Sequence, residues 1–155
     1  MFLNIPGKEN ISVSNVILDF NGTIAIDGKL IQGVAEKINN LSEQLNIIIV
    51  TADTNGTAES ELADVNCKVI NLSKSKEYGN KMDVLTALGK GHTICVGNGF
   101  NDHSVLKESV LGIAVMQEEG VSTKALMSSD IVFKSIIDAL SCFEAPNRLK
   151  ATLRS

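Results

Sequence analysis

Short runs of apolar, mostly β-branched residues alternate along the chain with stretches of helical period, and this alternation limits the available folds more than any other feature. "NIIIVT" at residues 46 to 51 and "HTICVG" at residues 92 to 97 carry apolar residues in succession, not at every second position. A strand of that kind is covered on both faces, which is the condition of a parallel sheet between helical layers. The expected fold is therefore a single α/β domain over residues 1–155, a doubly wound, Rossmann-like three-layer sandwich with a mainly parallel sheet.

Turn residues divide the pattern. Pro6-Gly7 predicts a hairpin over about residues 2–13, and Asn15 to Phe20 reads as the first core strand. The segment Ile24 to Ile31 alternates about Asp27-Gly28, a pair suited to a two-residue hairpin, and predicts a small flap. Val34, Ile38, Leu41 and Leu45 share one helical face, and a second helix is expected from about Thr57 to Val65. Cys67 to Leu72 then reads as a strand and Lys81 to Leu88 as a helix ended by a left-handed cap at Gly89. Asn101 or Asp102 is expected to cap the next short helix, and "VLGIAV" and "DIVF" read as strands around a helix near Val121 to Met127. Ile136, Ile137, Leu140 and Phe143 form the last apolar face before Pro146.

Composition excludes several classes of function. The formal net charge is −4 with no block of Lys or Arg, so the chain carries no electrostatic footprint for nucleic acid. Apolar runs are far shorter than the ~18 residues of a membrane span, and "MFLNIPGKEN" lacks a secretory leader's basic flank and apolar stretch. A soluble, cytoplasmic product is expected. Cys67, Cys95 and Cys142 form no CxxC pair or His/Cys ligand set and read as small core residues.

In doubly wound sheets, ligands sit beyond the carboxyl ends of the strands, where strand order reverses. Asp19 interrupts the apolar "NVILDF" at such an end, Thr51 ends the second core strand, and Asn98 follows the fourth. Lys81 opens the helix before that fourth strand, and Asp102 lies just beyond it. Two carboxylates, a hydroxyl and an ammonium on one rim suit phosphoryl transfer: a carboxylate can attack phosphorus while the other groups hold oxygens or offset charge. A set of oxygen ligands suits Mg²⁺.

Taken together, "DFNGT", "VTADT", Lys81 and "GNGFND", in that order, resemble the four motifs of the haloacid dehalogenase-like (HAD) hydrolases. "VGNGFNDHSVLKESVLGIAV" is especially similar to the phosphorylation domain of P-type ATPases, which points to the soluble P-type-ATPase-like branch. The resemblance implies an Mg²⁺-dependent phosphohydrolase with Asp19 forming an aspartyl phosphate and Asn21, Thr51 and Lys81 completing the catalytic set. It also implies phosphate contacts from Asp19, Phe20, Asn21, Gly22, Thr51, Ala52, Lys81 and Asn101, and metal ligation by Asp19, the Asn21 carbonyl, Asn98 and Asp102. Gly22 would let the backbone approach phosphate, and Thr23 would brace the loop. Only about thirty residues separate Asp19 from Thr51, too few for a large cap domain. The open mouth implies a bulky or macromolecular phosphorylated substrate, or a neighbouring subunit of a homo-oligomer serving as lid.

The chain departs from the pattern at two positions. Asn21 stands where most HAD phosphatases place an acid that protonates the leaving group, and an amide cannot exchange that proton. Asn98 replaces a carboxylate ligand, so the metal should be held more weakly. Dianionic phosphate with Asp19 and Asp102 gives about −4 against about +3 from Mg²⁺ and Lys81, a balance that carboxylates at 21 and 98 would worsen. Slow dephosphorylation follows, and a catalytically weak phosphate-binding or regulatory protein is the alternative. Thr51 also suits a plain strand end, Lys74 and Lys76 compete with Lys81, and His103 adjoins Asp102 as a first-turn residue. A receiver domain, also phosphorylated on aspartate, would place its acceptor after a later strand.

Overall fold

The structure, a computed structural model, describes residues 1–7 and 10–154. An antiparallel pair, β1 (Phe2–Leu3) and β2 (Ile11–Ser12), opens the chain, and the middle of the expected hairpin, residues 8 and 9, lies outside the described residues. The core strands are β3 (Asn15–Asp19), β6 (Asn46–Thr51), β7 (Lys68–Asn71), β8 (Thr93–Gly97), β9 (Leu111–Val115) and β10 (Ile131–Phe133). Between β3 and β6 come the flap strands β4 (Ala25–Ile26) and β5 (Lys29–Leu30), then helix α1 (Val34–Leu41). The remaining helices are α2 (Thr57–Glu61), α3 (Lys81–Leu88), α4 (His103–Glu108), α5 (Thr123–Ser128), α6 (Ile136–Glu144) and α7 (Asn147–Leu153).

The core strands form one sheet in the order β10-β9-β8-β3-β6-β7, with every neighbouring pair parallel. Strand residues alternate between two apolar clusters, as the two-residue period of a strand requires. Val16, Leu18, Ile47, Ile49, Ile94 and Val96 pack with α1, α6 and α7, whereas Ile17, Ile48, Val50 and Cys95 pack with α3, α4 and α5. This is the expected three-layer α/β sandwich, and the described residues form no large cap. The order reverses at β3, whose neighbours are β6 on one side and β8 on the other, so the crevice opens beyond Asp19.

Local differences from the sequence reading have physical causes. The flap is an antiparallel pair whose turn places Asp27 at φ 49° and Gly28 at φ 74°, the positive pair that a tight hairpin needs. Helix α2 stops at Glu61, well short of Val65; beyond it the Val65 N–H donates to the Leu62 carbonyl three residues back, tightening the chain into turns. Gly89 has φ 91° but ψ 110°, so it is not a left-handed cap, and the chain runs into a 3₁₀ turn at Lys90–His92. Helix α7 has no counterpart in the sequence reading because Leu149 is its sole buried residue.

Candidate active site

Burying an acid at the end of an apolar strand is costly unless a partner compensates. Here that partner is Lys81, the first residue of α3, whose Nζ lies 2.5 Å from Asp19 Oδ1 and 2.5 Å from Asp102 Oδ1. The lysine is 6% exposed and the Asp102 side chain 2%, so this triad lies beneath the surface of the crevice. Asn80 fixes the start of α3 in a reciprocal capping box with Asp83, which sets where the Lys81 stem begins. The competing lysine Lys74 is instead paired on the surface with Glu59 at 3.0 Å.

Asp102 does not cap α4 with its side chain. Its Oδ2 accepts from the N–H groups of Asn98 and Gly99, at 3.1 and 2.9 Å, while Oδ1 serves Lys81. A buried ammonium requires a charged acceptor more than a helix end requires a cap, and the carboxylate turns inward accordingly. In doing so it folds the 97–102 loop back over the triad.

Thr23 ties the Asp19 loop to the loop after β8. Its Oγ1 lies 3.2 Å from Asp19 Oδ2 and 3.1 Å from Asn98 Oδ1. A hydroxyl has one hydrogen to donate, so one of these two oxygens is always left for another donor or a cation. The Asn98 amide is oriented by its other end, where Nδ2 donates to the Gly120 carbonyl at 3.0 Å. Gly22, at φ 79°, faces this amide so closely that a Cβ there would overlap it. The Gly22 N–H is committed to the Ala25 carbonyl at 2.7 Å.

Above the triad lies a cleft of about 470 Å³ lined by Asp19, Asn21, Thr51, Ala52, Asp53, Thr54, Asn98, Gly99, Asn101 and Glu119. Six of the residues singled out from the sequence thus share one cleft: Asp19, Asn21, Thr51, Ala52, Asn98 and Asn101. Lys81 and Asp102 lie beneath it. Phe20 places its side chain in the core and uses its carbonyl to accept from Thr23, Ile24 and Ala25, so its side chain has no access to a ligand. Thr51 Oγ1 accepts from the Asp53 N–H at 3.1 Å, which turns the chain across the rim. His103 does not line the cleft; its ring packs on exposed Phe100, and Nδ1 donates to the Phe100 carbonyl.

Three participants escaped the sequence reading. Asp53 lies two residues after Thr51, inside "VTADT", and was legible from that spacing. Glu119 and Gln117 sit in the loop after β9, which carries no motif, and only the strand order brings it to this rim. Gln117 Nε2 donates to the carbonyls of Gly22 and Thr23, at 3.2 and 2.8 Å, and its Oε1 accepts from the Ile136 N–H at 2.7 Å. One amide therefore holds the Asp19 loop against the start of α6.

Burial raises the Asp19 carboxyl to about 6, with Lys81 opposing and Asp102 reinforcing the shift. Burial would lower Lys81, but the two carboxylates outweigh it and hold the ammonium above its ordinary value. Among the described residues, no three His, Cys, Asp or Glu side chains gather as a metal-holding set. The oxygens that fit a hard cation are the Asp19 carboxylate and the Asn98 amide oxygen left over from Thr23, beside Asn21 in the cleft lining. Asp102 is engaged on both oxygens by protein donors and is absent from the cleft lining.

No protein-family model matches the chain. An uncharacterised protein of Methanocaldococcus jannaschii is 44% identical over 87 residues, covering 51% of this chain and 94% of the relative. A soluble P-type ATPase-like phosphatase of the same organism is 33% identical over 124 residues, covering 75% of this chain but only 45% of the relative. Among solved structures, the 3-deoxy-D-manno-octulosonate 8-phosphate phosphatase of Moraxella catarrhalis, in complex with magnesium, phosphate and its sugar, superposes with a TM-score of 0.66. That alignment covers 88% of this chain and 92% of the phosphatase at 14% identity, a likeness of fold. With four motifs in order along it, the chain shares the fold of the haloacid dehalogenase-like hydrolases on which it superposes.

Proposed function

We propose that the chain is a divalent-cation-dependent phosphohydrolase that works through Asp19 and turns over slowly. The observation that carries this reading is the Lys81 ammonium, held between Asp19 and Asp102 directly beneath a polar cleft at the strand-order reversal. Asp19 Oδ attacks phosphorus as the bond to the leaving oxygen breaks, and water then displaces Asp19 from the phosphoryl group. Thr51 and the N–H groups of the rim hold the phosphoryl oxygens, while Lys81 offsets the charge that gathers on them. When bound, Mg²⁺ held by Asp19, the Asn21 carbonyl and Asn98 supplies further neutralisation of those oxygens. Asn21 has no proton to give, so the leaving oxygen takes its proton from water, and the second step lacks a base. Both effects slow turnover, in keeping with the soluble P-type-ATPase-like branch.

The open cleft, bounded by a small flap, suits a bulky phosphoester or a lid from a neighbouring subunit. Hydrolysis of p-nitrophenyl phosphate and acetyl phosphate, with and without Mg²⁺, tests the reading against an Asp19→Asn variant. Cation-dependent turnover that the variant abolishes supports it; turnover that survives the substitution refutes it. A second reading, a phosphate-binding protein without useful catalysis, is favoured where the Thr23 hydroxyl donates to Asn98 Oδ1 and not to Asp19, because both ends of that amide are then occupied. Phosphate binding without turnover identifies that case.

A further inference from the structure

The cleft carries an unusual charge pattern for a site that receives phosphate. Among the described residues, no Lys or Arg lines it, whereas three carboxylates do: Asp19 at the floor and Asp53 and Glu119 at the rim. Lys81 is the cation beneath the floor, and it is already shared by two carboxylates. Asp53 follows β6 and Glu119 follows β9, strands on opposite sides of β3, so their carboxylates flank the entrance from both directions.

Neither rim carboxylate is free to swing away. Asp53 accepts from the N–H groups of Asn55 and Ala58, at 2.9 and 3.0 Å, and these bonds hold its carboxyl below the usual range. Glu119 accepts from the Asp27 N–H at the flap turn, at 2.9 Å. Main-chain donors thus fix two negative charges beside the path of the leaving group without neutralising them. Lys74, whose charge also reaches Asp53, is held by Glu59.

Deepening the reading of this cleft as a phosphoester site, on which the inference rests, we infer that the substrate is a phosphomonoester whose leaving group carries a protonated amine, and that Asp53 and Glu119 select it. A phosphoryl group seated against Asp19 places the rest of the ester between the two rim carboxylates. A second anion there meets unscreened repulsion from both sides, and a cation meets attraction. Polyanionic nucleotides are correspondingly disfavoured.

Calorimetric titration in the presence of Mg²⁺ compares three esters of similar size, phosphorylethanolamine, glycerol phosphate and phosphoglycolate, with p-nitrophenyl phosphate turnover measured alongside. The expected order is cationic, then neutral, then anionic, with a span of roughly tenfold or more at low salt. That span should narrow on adding salt and in Glu119→Gln, whose amide oxygen still accepts from Asp27, and narrow further with Asp53→Asn. Equal affinities, an anionic preference, no binding of any ester, or a span untouched by salt and both variants overturns the inference. Lost turnover with the span intact refutes hydrolysis alone, and a missing span with turnover intact refutes the selectivity alone.

Discussion

Lys81 Nζ and Asp19 Oδ1 are 2.5 Å apart where the strand order reverses, at the end of β3, whose neighbours β6 and β8 both come later in the chain. The pair is shielded from water, and Asp102 completes it. Lys81→Met leaves two carboxylates facing each other with no cation between them. A loss of about 3–5 kcal/mol in unfolding free energy is expected, as for other buried ion pairs deprived of one partner. Urea denaturation measures it, and acidification should restore part of the loss because neutral carboxyls need no counter-charge.

Gly22→Ala should destabilise by about 1–3 kcal/mol, since it combines a positive φ with a Cβ that overlaps the Asn98 amide. The steric part belongs to the pair. In the double variant with Asn98→Ala, the two effects should sum to less than their separate values, leaving the backbone strain alone. Strict additivity in a denaturation cycle contradicts the close packing of these residues.

The pH dependence of stability follows from Asp19. Its carboxyl titrates at about 6 when folded, against an ordinary value of 3.8, so between these values the folded chain holds a proton that the unfolded chain has released. The stabilisation is complete below 3.8 and disappears as pH rises through 6. Asp19→Asn cannot titrate. In chelator, wild-type stability should therefore fall relative to this variant by about 2–3 kcal/mol between pH 4 and 7. A difference that stays flat with pH is inconsistent with the raised carboxyl.

Gln117→Leu removes the amide that joins the Asp19 loop to the start of α6, leaving the Gly22 and Thr23 carbonyls and the Ile136 N–H without their partner. Stability should drop by about 1–3 kcal/mol. If the amide positions Asp19, kcat for p-nitrophenyl phosphate falls while KM changes little, a split that a purely structural loss would not produce.

The parts of this molecule that follow local rules were legible in its sequence. The unbroken apolarity of "NIIIVT" fixed β6 as a two-faced strand, and Asp27-Gly28 fixed the flap turn, because each depends on residues within reach of one another. An acid inside "NVILDF" demanded a partner, and Lys81 supplies it across the fold. Long-range geometry was less accessible. Asp102 reads as a rim acid, a metal ligand and a possible helix cap, whereas both its oxygens go to protein donors, and Glu119, in a loop without a motif, reaches the cleft only through strand order. Helix α7 buries too little to leave a periodic signal.

Whether Asp19 takes up the phosphoryl group itself is decided most directly by acid-quenching the protein during hydrolysis of acetyl phosphate and mapping its peptides by mass. One phosphoryl increment on the peptide containing Asp19, labile to hydroxylamine and absent from Asp19→Asn, is the expected result. Steady hydrolysis with no phosphoryl group on that peptide at any quench time would contradict the account.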